Sequence, residues 1–539
     1  MSNIIKGTMM LTSATFLSKL LGMIYVIPFN ALVGKSGGTL FQFAYTPYTI
    51  LISFSTIGVP MAVSKFVSKY NALGDYETGM RMFKAGMMLM AATGIIAFLI
   101  MFSSANLLAE QMITNEKEGS IAASDVAMVI RMVSIALLVI PSMSIVRGFF
   151  QGYESMEPTA VSQVVEQIIR IGFILSAAFV ITVLLDGSKI TAVGFSAFAA
   201  FIGALASSAV LWWFWRRRKT QIYAQINKQN YTYDLSMKRL FAELFRYAGP
   251  FVVVGVAVPM YQLIDQFTFE RAMTAIGKKD LFETANAAIN FYGHKLVIIP
   301  VTIATGLSLA IIPALTKTFT QKDRALMNQQ IHQALQIVLV LVVPAVAGLS
   351  MLSDVAYGSL YGMDQIGYTG SLLGWYAPVG LLFALFTVTS SILQGINEQR
   401  FAIISLAGGL LVKMLLNIQL IHMFGAKGVI LGTMLATGTA VALNLWRIRK
   451  AIRFPFRQTY KRFLLIGIFT AMMCLVIWIV KAVFGMFLAY ETKQLSAVIV
   501  LIAGVGIGGG IYLWFSYQST LLERVLGDRV KVLDHLFRK

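Results

Sequence analysis

The fold class predicted for this chain is an all-α polytopic membrane protein of about fourteen spanning helices, arranged as two six-helix pseudo-repeats plus two C-terminal helices. Three observations predict it: an apolar composition, an alternation of base-rich and base-poor connections, and an internal repeat. Of 539 residues, 57% are hydrophobic and only 13% charged, and the mean hydropathy is +0.74. A soluble domain of this size cannot bury so much apolar surface within itself, so lipid must act as its solvent.

Apolar runs long enough to span fall near 8–33, 40–64, 83–105, 125–149, 160–185, 190–214, 247–269, 284–315, 331–353, 371–394, 401–422, 428–446, 463–487 and 494–516. A bilayer core needs roughly 20 apolar residues per helix, which each run approaches or exceeds. The eighth run holds Pro300 and Pro313, which predict a bend or interruption. The first run carries Lys19 and continues to Val33 without a small-residue cleavage site, so it reads as a spanning helix rather than a secretory leader. The one cysteine, Cys474, lies in an apolar run without a partner in the chain, which leaves it a packing role and excludes an internal disulfide.

The formal charge of +20 would suggest nucleic acid in a soluble protein. Here the basic residues sit between apolar runs, which points to topology and to no nucleic-acid partner. Even-numbered connections carry Lys65, Lys69, Arg81 and Lys84; Arg216 to Lys219 with Lys238, Arg239 and Arg246; Lys317, Lys322 and Arg324; and Arg447, Arg449, Lys450, Arg453, Arg457, Lys461 and Arg462. Odd-numbered ones are poorer and in places acidic, around Glu110, Glu116 and Glu118 and around Asp354 and Asp364. Because Lys and Arg favour the cytoplasmic side, both termini are expected there, in the inner (plasma) membrane.

The repeat appears when the fifth and eleventh runs are aligned. Gln151-Gly152 falls on Gln394-Gly395, and the same offset brings Ser162 onto Ser405 and Arg170 onto Lys413. At a slightly shorter offset Gly194 meets Gly428 and Trp212 meets Trp446, each ending in a basic run. The expected organisation is a lobe at 1–215, a basic cytoplasmic linker at 216–246, a second lobe at 247–450, two further spans at 451–516 and a cytoplasmic tail at 517–539. Parallel repeats imply a substrate site between related halves.

The chemistry lies in cations at bilayer depth: Lys19, Arg131, Arg170, Lys295 and Lys413. Each costs about 2.5–3.5 kcal/mol at a helix centre, so all five facing lipid would be prohibitive and a hydrated interior is expected. Helical spacing agrees. Gln163, Glu166, Gln167 and Arg170 form one stripe; Thr8, Thr12, Thr15 and Lys19 another; Gln42, Thr46, Thr49 and Ser53 a third. Asn290 and His294 lie one turn apart beside Lys295. Plainer readings stand beside these. Arg170 can pair with Glu166 across one turn, Arg131 can snorkel outward, and His294 has no second His or Cys at ligand spacing. Asp265, amid Gln262 and Gln266, either holds a proton or meets a cation, whether a lysine or a coupling ion.

Several segments resemble the MurJ lipid II flippases, in the Gram-positive and sporulation-associated branch of the multidrug/oligosaccharidyl-lipid/polysaccharide exporter superfamily. They are Ser18-Lys19-Leu20-Leu21-Gly22, Tyr292-Gly293-His294-Lys295-Leu296 leading to Pro300, and Ile312-Pro313-Ala314-Leu315. The resemblance covers essentially the whole chain. It implies a cationic cavity, basic residues on spans 1 and 8 that match Lys19 and Lys295, and an apolar groove on spans 13 and 14 for a polyprenyl tail. Tyr25 stands where the family has a second span 1 arginine. A sodium site known in relatives would map to Asp265, Asn417 and Thr433 or Thr437, with Ile421 where a second carboxylate is expected.

The function this implies is transport, not catalysis: a polyprenyl-diphosphate-linked peptidoglycan precursor crosses from inner to outer leaflet by alternating access. Lys19, Lys295, Arg170, Lys413 and Arg131 would meet the anion, while Gln163, Glu166, Asn290 and His294 would line the path. No cofactor is expected; membrane potential or a monovalent cation would couple the cycle, and membrane lipids and other cell-wall synthesis proteins are the further partners. The alternatives are export of another polyprenyl-linked polysaccharide intermediate, a multidrug antiporter, which would need an anionic cavity, and a membrane glycosyltransferase or polymerase, which would need a catalytic extramembrane loop.

Overall fold

In the computed structural model the described residues are 3–53, 58–113, 121–229 and 255–526, with Ser236, Ala242 and Val252 besides, and they form helices without strands. Eleven helical stretches among them are long and apolar enough to cross a membrane, and twelve when the bent pair Ser13–Ile24 and Val26–Ser53 is counted as one span. The chain is a multi-pass membrane protein. The predicted seventh run lies partly outside the described residues, as do Glu116, Glu118, Lys238, Arg239, Arg246 and residues 527–539 of the tail. Contacts divide the chain into two compact units, 1–270 and 271–539.

The first unit contains α1 (Asn3–Ile24), α2 (Val26–Ser53), α3 (Val59–Ala72), α4 (Tyr76–Ser103), α5 (Ala105–Met112), α6 (Ala123–Ser134), α7 (Ile140–Gly152), α8 (Glu157–Phe179), α9 (Lys189–Lys228) and most of α10 (Ala257–Ala275). Gly34, at φ 72°, interrupts α2 where the sequence places the turn between the first two spans. Only glycine adopts that conformation without strain. Side-chain caps start α4, where Asp75 accepts from the Thr78 amide, and α9, where Ser188 accepts from the Thr191 amide. The α6–α7 stretch is one span tightened by a 3-10 turn at Ile135–Leu138, ahead of Pro141. Its α7 half meets α3 so closely that a methyl on Gly148 would lie 2.4 Å from the Pro60 carbonyl. The predicted linker begins inside α9, which continues as helix to Lys228.

The second unit contains α11 (Phe282–Asn286), α12 (His294–Thr320), α13 (Arg324–Met351), α14 (Ser353–Tyr361), α15 (Ile366–Tyr376), α16 (Val379–Gly395), α17 (Gln399–Phe424), α18 (Ala426–Ile452), α19 (Arg457–Phe487), α20 (Gln494–Gln518) and α21 (Leu521–Leu526). A π-helical turn, Ala287–Gly293, joins α11 to α12. The α8–α9 and α17–α18 pairs occupy matching places in the repeat, and each has a cation over an aromatic ring one turn apart: Arg216 over Trp212 at 3.9 Å and Lys450 over Trp446 at 5.0 Å. Tryptophan followed by a base is the pattern of a helix leaving lipid for water. The two extra helices α19 and α20 pack on α13 and α14 through Met473, Ile477, Val500 and Leu352. Their other faces, with Ile468, Trp478 and Ile502, are exposed apolar surface for lipid to cover.

Candidate functional site: a cationic corner in the first unit

The polar stripe predicted on the fifth span lies on α8, where it meets α1, α2, α7 and α9. Thr15 of α1 donates to Gln163 Oε1 at 3.3 Å, and Gly22, two turns on, leaves room for Gln167, whose Nε2 would lie 3.0 Å from an added methyl. Gly203 brings α9 equally close, since its missing methyl would sit 3.0 Å from the Glu166 carbonyl and the Arg170 Cβ. Small residues at these crossings hold three helices tightly around the polar side chains.

Glu166 does not pair with Arg170, as its spacing on the helix allows. It pairs with Arg147 of α7, whose Nη2 donates to Glu166 Oε2 at 2.7 Å and to Ser207 Oγ of α9 at 2.7 Å, while Nε donates to Ser162 Oγ at 3.0 Å. Both members of the ion pair are 17% exposed. A carboxylate and a guanidinium withdrawn from water hold each other more strongly than a surface pair, because little solvent screens them. Arg147 lies near the end of the predicted fourth span and is not among the cations singled out in the sequence; nothing in local spacing joins it to a residue on the next helix.

Arg170 is therefore left with neutral partners. Its guanidinium donates to Gln167 Oε1 at 2.7 Å and to the Tyr45 hydroxyl at 3.3 Å, and among the described residues no carboxylate lies within ion-pairing distance. Tyr45 is held by stacking on Phe41, with ring centroids 4.8 Å apart. Lys19 is exposed on α1, and like Arg170 it makes no ion pair among the described residues. The first unit thus presents two cations and several amide and hydroxyl groups, with its nearby acid already neutralised. Such a surface attracts an anion and repels a cation.

The remaining predicted residues are placed differently. Arg131 is drawn to the end of its span, where it donates to Asn106 Oδ1 at 3.0 Å and lies 5.6 Å from the Phe102 ring centre. The structure does not bring it into the corner of Arg147 and Arg170. On α2, Thr46, Thr49 and Ser53 donate to carbonyls one turn back, so most of that stripe is satisfied within its own helix. Thr8 and Thr12 are outside the described side chains.

In the second unit Asn290 donates to Asn286 Oδ1 at 2.9 Å, and the His294 Nδ1 lies 2.9 Å from the Tyr376 hydroxyl. Asn290 lies within the π turn and His294 directly after it. Lys295 follows directly and lies 6.0 Å from the Phe291 ring centre. The turn brings the backbone so close that a methyl on Gly293 would fall 2.1 Å from the Ala288 carbonyl. Lys413 is fully buried, and its ammonium donates to Thr433 Oγ1 at 2.6 Å. Of the expected cation ligands, Thr433 is thus engaged by a lysine. Asn417 and Thr437 are buried on the same α17–α18 pair, and Asp265 is buried on α10 in the first unit.

A further intramembrane cation, Lys481 of α19, reads as part of an apolar run in the sequence, yet it grips Asp354 Oδ1 and Oδ2 at 2.7 and 2.8 Å and the Met351 carbonyl at 3.2 Å. It ties the C-terminal helices to α14 and leaves Asp354 neutralised.

Comparison with known proteins places this arrangement. Residues 4–319 match the polysaccharide biosynthesis protein family. Over 540 aligned positions the chain is 44% identical to the lipid II flippase MurJ of Bacillus subtilis (strain 168), covering 100% of this chain and 99% of that one. Among solved structures it resembles the lipid II flippase MurJ in an inward closed conformation, with a TM-score of 0.65 at 18% identity over 96% of this chain and 99% of that one. It also resembles an inward-facing multidrug resistance MATE transporter of the MOP superfamily, with a TM-score of 0.59 at 14% identity over 81% and 99%. At such identities the likeness to solved structures concerns the fold, whereas the near-half identity to a full-length relative concerns descent. This chain belongs to the MurJ family of polysaccharide biosynthesis proteins.

Proposed function

We propose that the chain carries a polyprenyl-diphosphate-linked peptidoglycan precursor, lipid II, from the inner to the outer leaflet of the plasma membrane by alternating access, with both termini in the cytoplasm. The observation that carries this reading beyond family membership is Arg170: an arginine at membrane depth that, among the described residues, hydrogen-bonds to a phenol and an amide and pairs with no carboxylate, beside a glutamate already paired elsewhere. A lone guanidinium at this depth is costly unless something charged visits it. A diphosphate offers paired phosphoryl oxygens as acceptors for the planar fork of a guanidinium.

Lys19 on the adjoining α1 adds a second, flexible donor, while Gln163 and Thr15 offer neutral hydrogen bonds to a sugar-peptide head. The anionic headgroup moves outward with the inside-negative potential, worth about 2.3 kcal/mol per charge per 100 mV. Membrane potential is sufficient as the driving force in this reading. The test is depletion of the protein followed by identification of the lipid-linked intermediate retained on the inner face: lipid II is expected. Retention of a different polyprenyl-linked glycan, with lipid II still reaching the outer face, would overturn it.

A further inference from the structure

We infer that Arg147 is a positioning residue for the anion site: by holding Glu166 it keeps that carboxylate off Arg170, and so leaves the Arg170 guanidinium to the substrate. The inference rests on the reading of Arg170 as a substrate cation. Glu166 has two cations within reach. Arg170 is one turn away on the same helix, the spacing at which acid and base pair readily, and Arg147 approaches from α7. The structure resolves the competition in favour of Arg147, whose Nε donates to Ser162 and whose Nη2 donates to Ser207 as well as to Glu166, which fixes the orientation of the guanidinium. Were Arg147 neutral, Glu166 would turn along its own helix and neutralise Arg170, and an incoming diphosphate would have to displace a carboxylate.

The second repeat supplies an internal comparison. At the offset that places Arg170 on Lys413, Glu166 falls on Gly409 and Arg147 on Ser390. Where the acid is missing, the arginine is missing too. The hub survives in neutral form: Ser405, the counterpart of Ser162, donates to Asn444 Oδ1 at 2.6 Å, and Asn444 Nδ2 donates to Ser390 at 3.1 Å and to Thr389 at 3.0 Å. A hydrogen-bonded junction of three helices therefore needs no charge here. The charge in the first unit answers to Glu166, and it is the protection of Arg170 that the charge adds.

The test uses the full-length chain in cells that depend on it, reading lipid II accessible at the outer face per amount of chain in the membrane. Arg147→Gln, whose amide can replace the Nε–H toward Ser162, is expected to lower transport by at least about tenfold, the size of one well-placed charge interaction. Adding Glu166→Gln is expected to restore it to within about threefold of the native chain, and Arg147→Lys alone should transport well. Native-like transport by Arg147→Gln, or a double variant as poor as the single at equal abundance, would overturn the inference. If Arg147→Gln fails to accumulate, the double variant decides on the same criterion. Arg170→Ala separates the two ideas, since unimpaired transport there removes the underlying reading of Arg170 itself.

Discussion

The Lys413 ammonium donates to the Thr433 hydroxyl at 2.6 Å, and that hydroxyl donates in turn to the Val429 carbonyl at 3.0 Å. A lysine fully withdrawn from solvent thus has one of its three N–H groups fixed by a side chain of the neighbouring helix. Thr433→Val keeps the shape and removes the acceptor, so it should destabilise the protein by roughly 1–3 kcal/mol. Thr433→Ser should stay near native. Thermal unfolding of the purified protein in detergent separates the two; equal melting of Val and Ser variants would show that the contact contributes nothing.

Gly293→Ala is expected to disrupt the π turn before Lys295, because the added methyl would collide with the Ala288 carbonyl inside the turn. The helix would relax toward ordinary α geometry, which rotates His294 and Lys295 about its axis. Loss of the His294–Tyr376 contact and lower transport should appear together, whereas Gly306→Ala, with nothing within 4 Å of the added methyl, serves as control. Transport in Gly293→Ala equal to that control would contradict the expectation.

Lys481→Met should loosen α19 and α20 from α14 and leave Asp354 without its cation. The pair is partly exposed, at 18% and 34% for the two side chains, so the effect on stability should be small, roughly 1 kcal/mol or less. Limited proteolysis of the connection between α19 and α20 should nonetheless quicken. If Asp354→Asn and Lys481→Met each quicken it and the double variant is no worse than either, the two residues act as one contact.

Periodicity and charge made the spans legible because a helix in lipid must be apolar over its whole length and its ends must be basic on one side. Gly34 and the Trp212 and Trp446 girdle positions follow from the same rules. The repeat was legible through Ser162 and Ser405, which turn out to anchor corresponding hubs. What local spacing could not reveal is the choice of partner across helices. Glu166 stands at ideal spacing from Arg170, yet its cation comes from Arg147, nineteen residues back and on another helix. Lys481 was hidden in the same way, since its partner Asp354 reads as part of an acidic loop. Arg131 is the converse: a cation at apparent depth whose long side chain reaches the end of the span.

Recognition of a negatively charged head group by Lys19 and Arg170 of the first unit is read most directly by binding. Purified native protein and the Lys19→Ala/Arg170→Ala variant should be titrated with lipid II and with the corresponding uncharged polyprenol, following ligand-induced thermal stabilisation. The native chain should be stabilised by lipid II in a salt-sensitive manner and little by the polyprenol, and the double variant should lose at least about a hundredfold in lipid II affinity, two charge contacts at about tenfold each. Equal lipid II binding by native and variant protein would contradict the account.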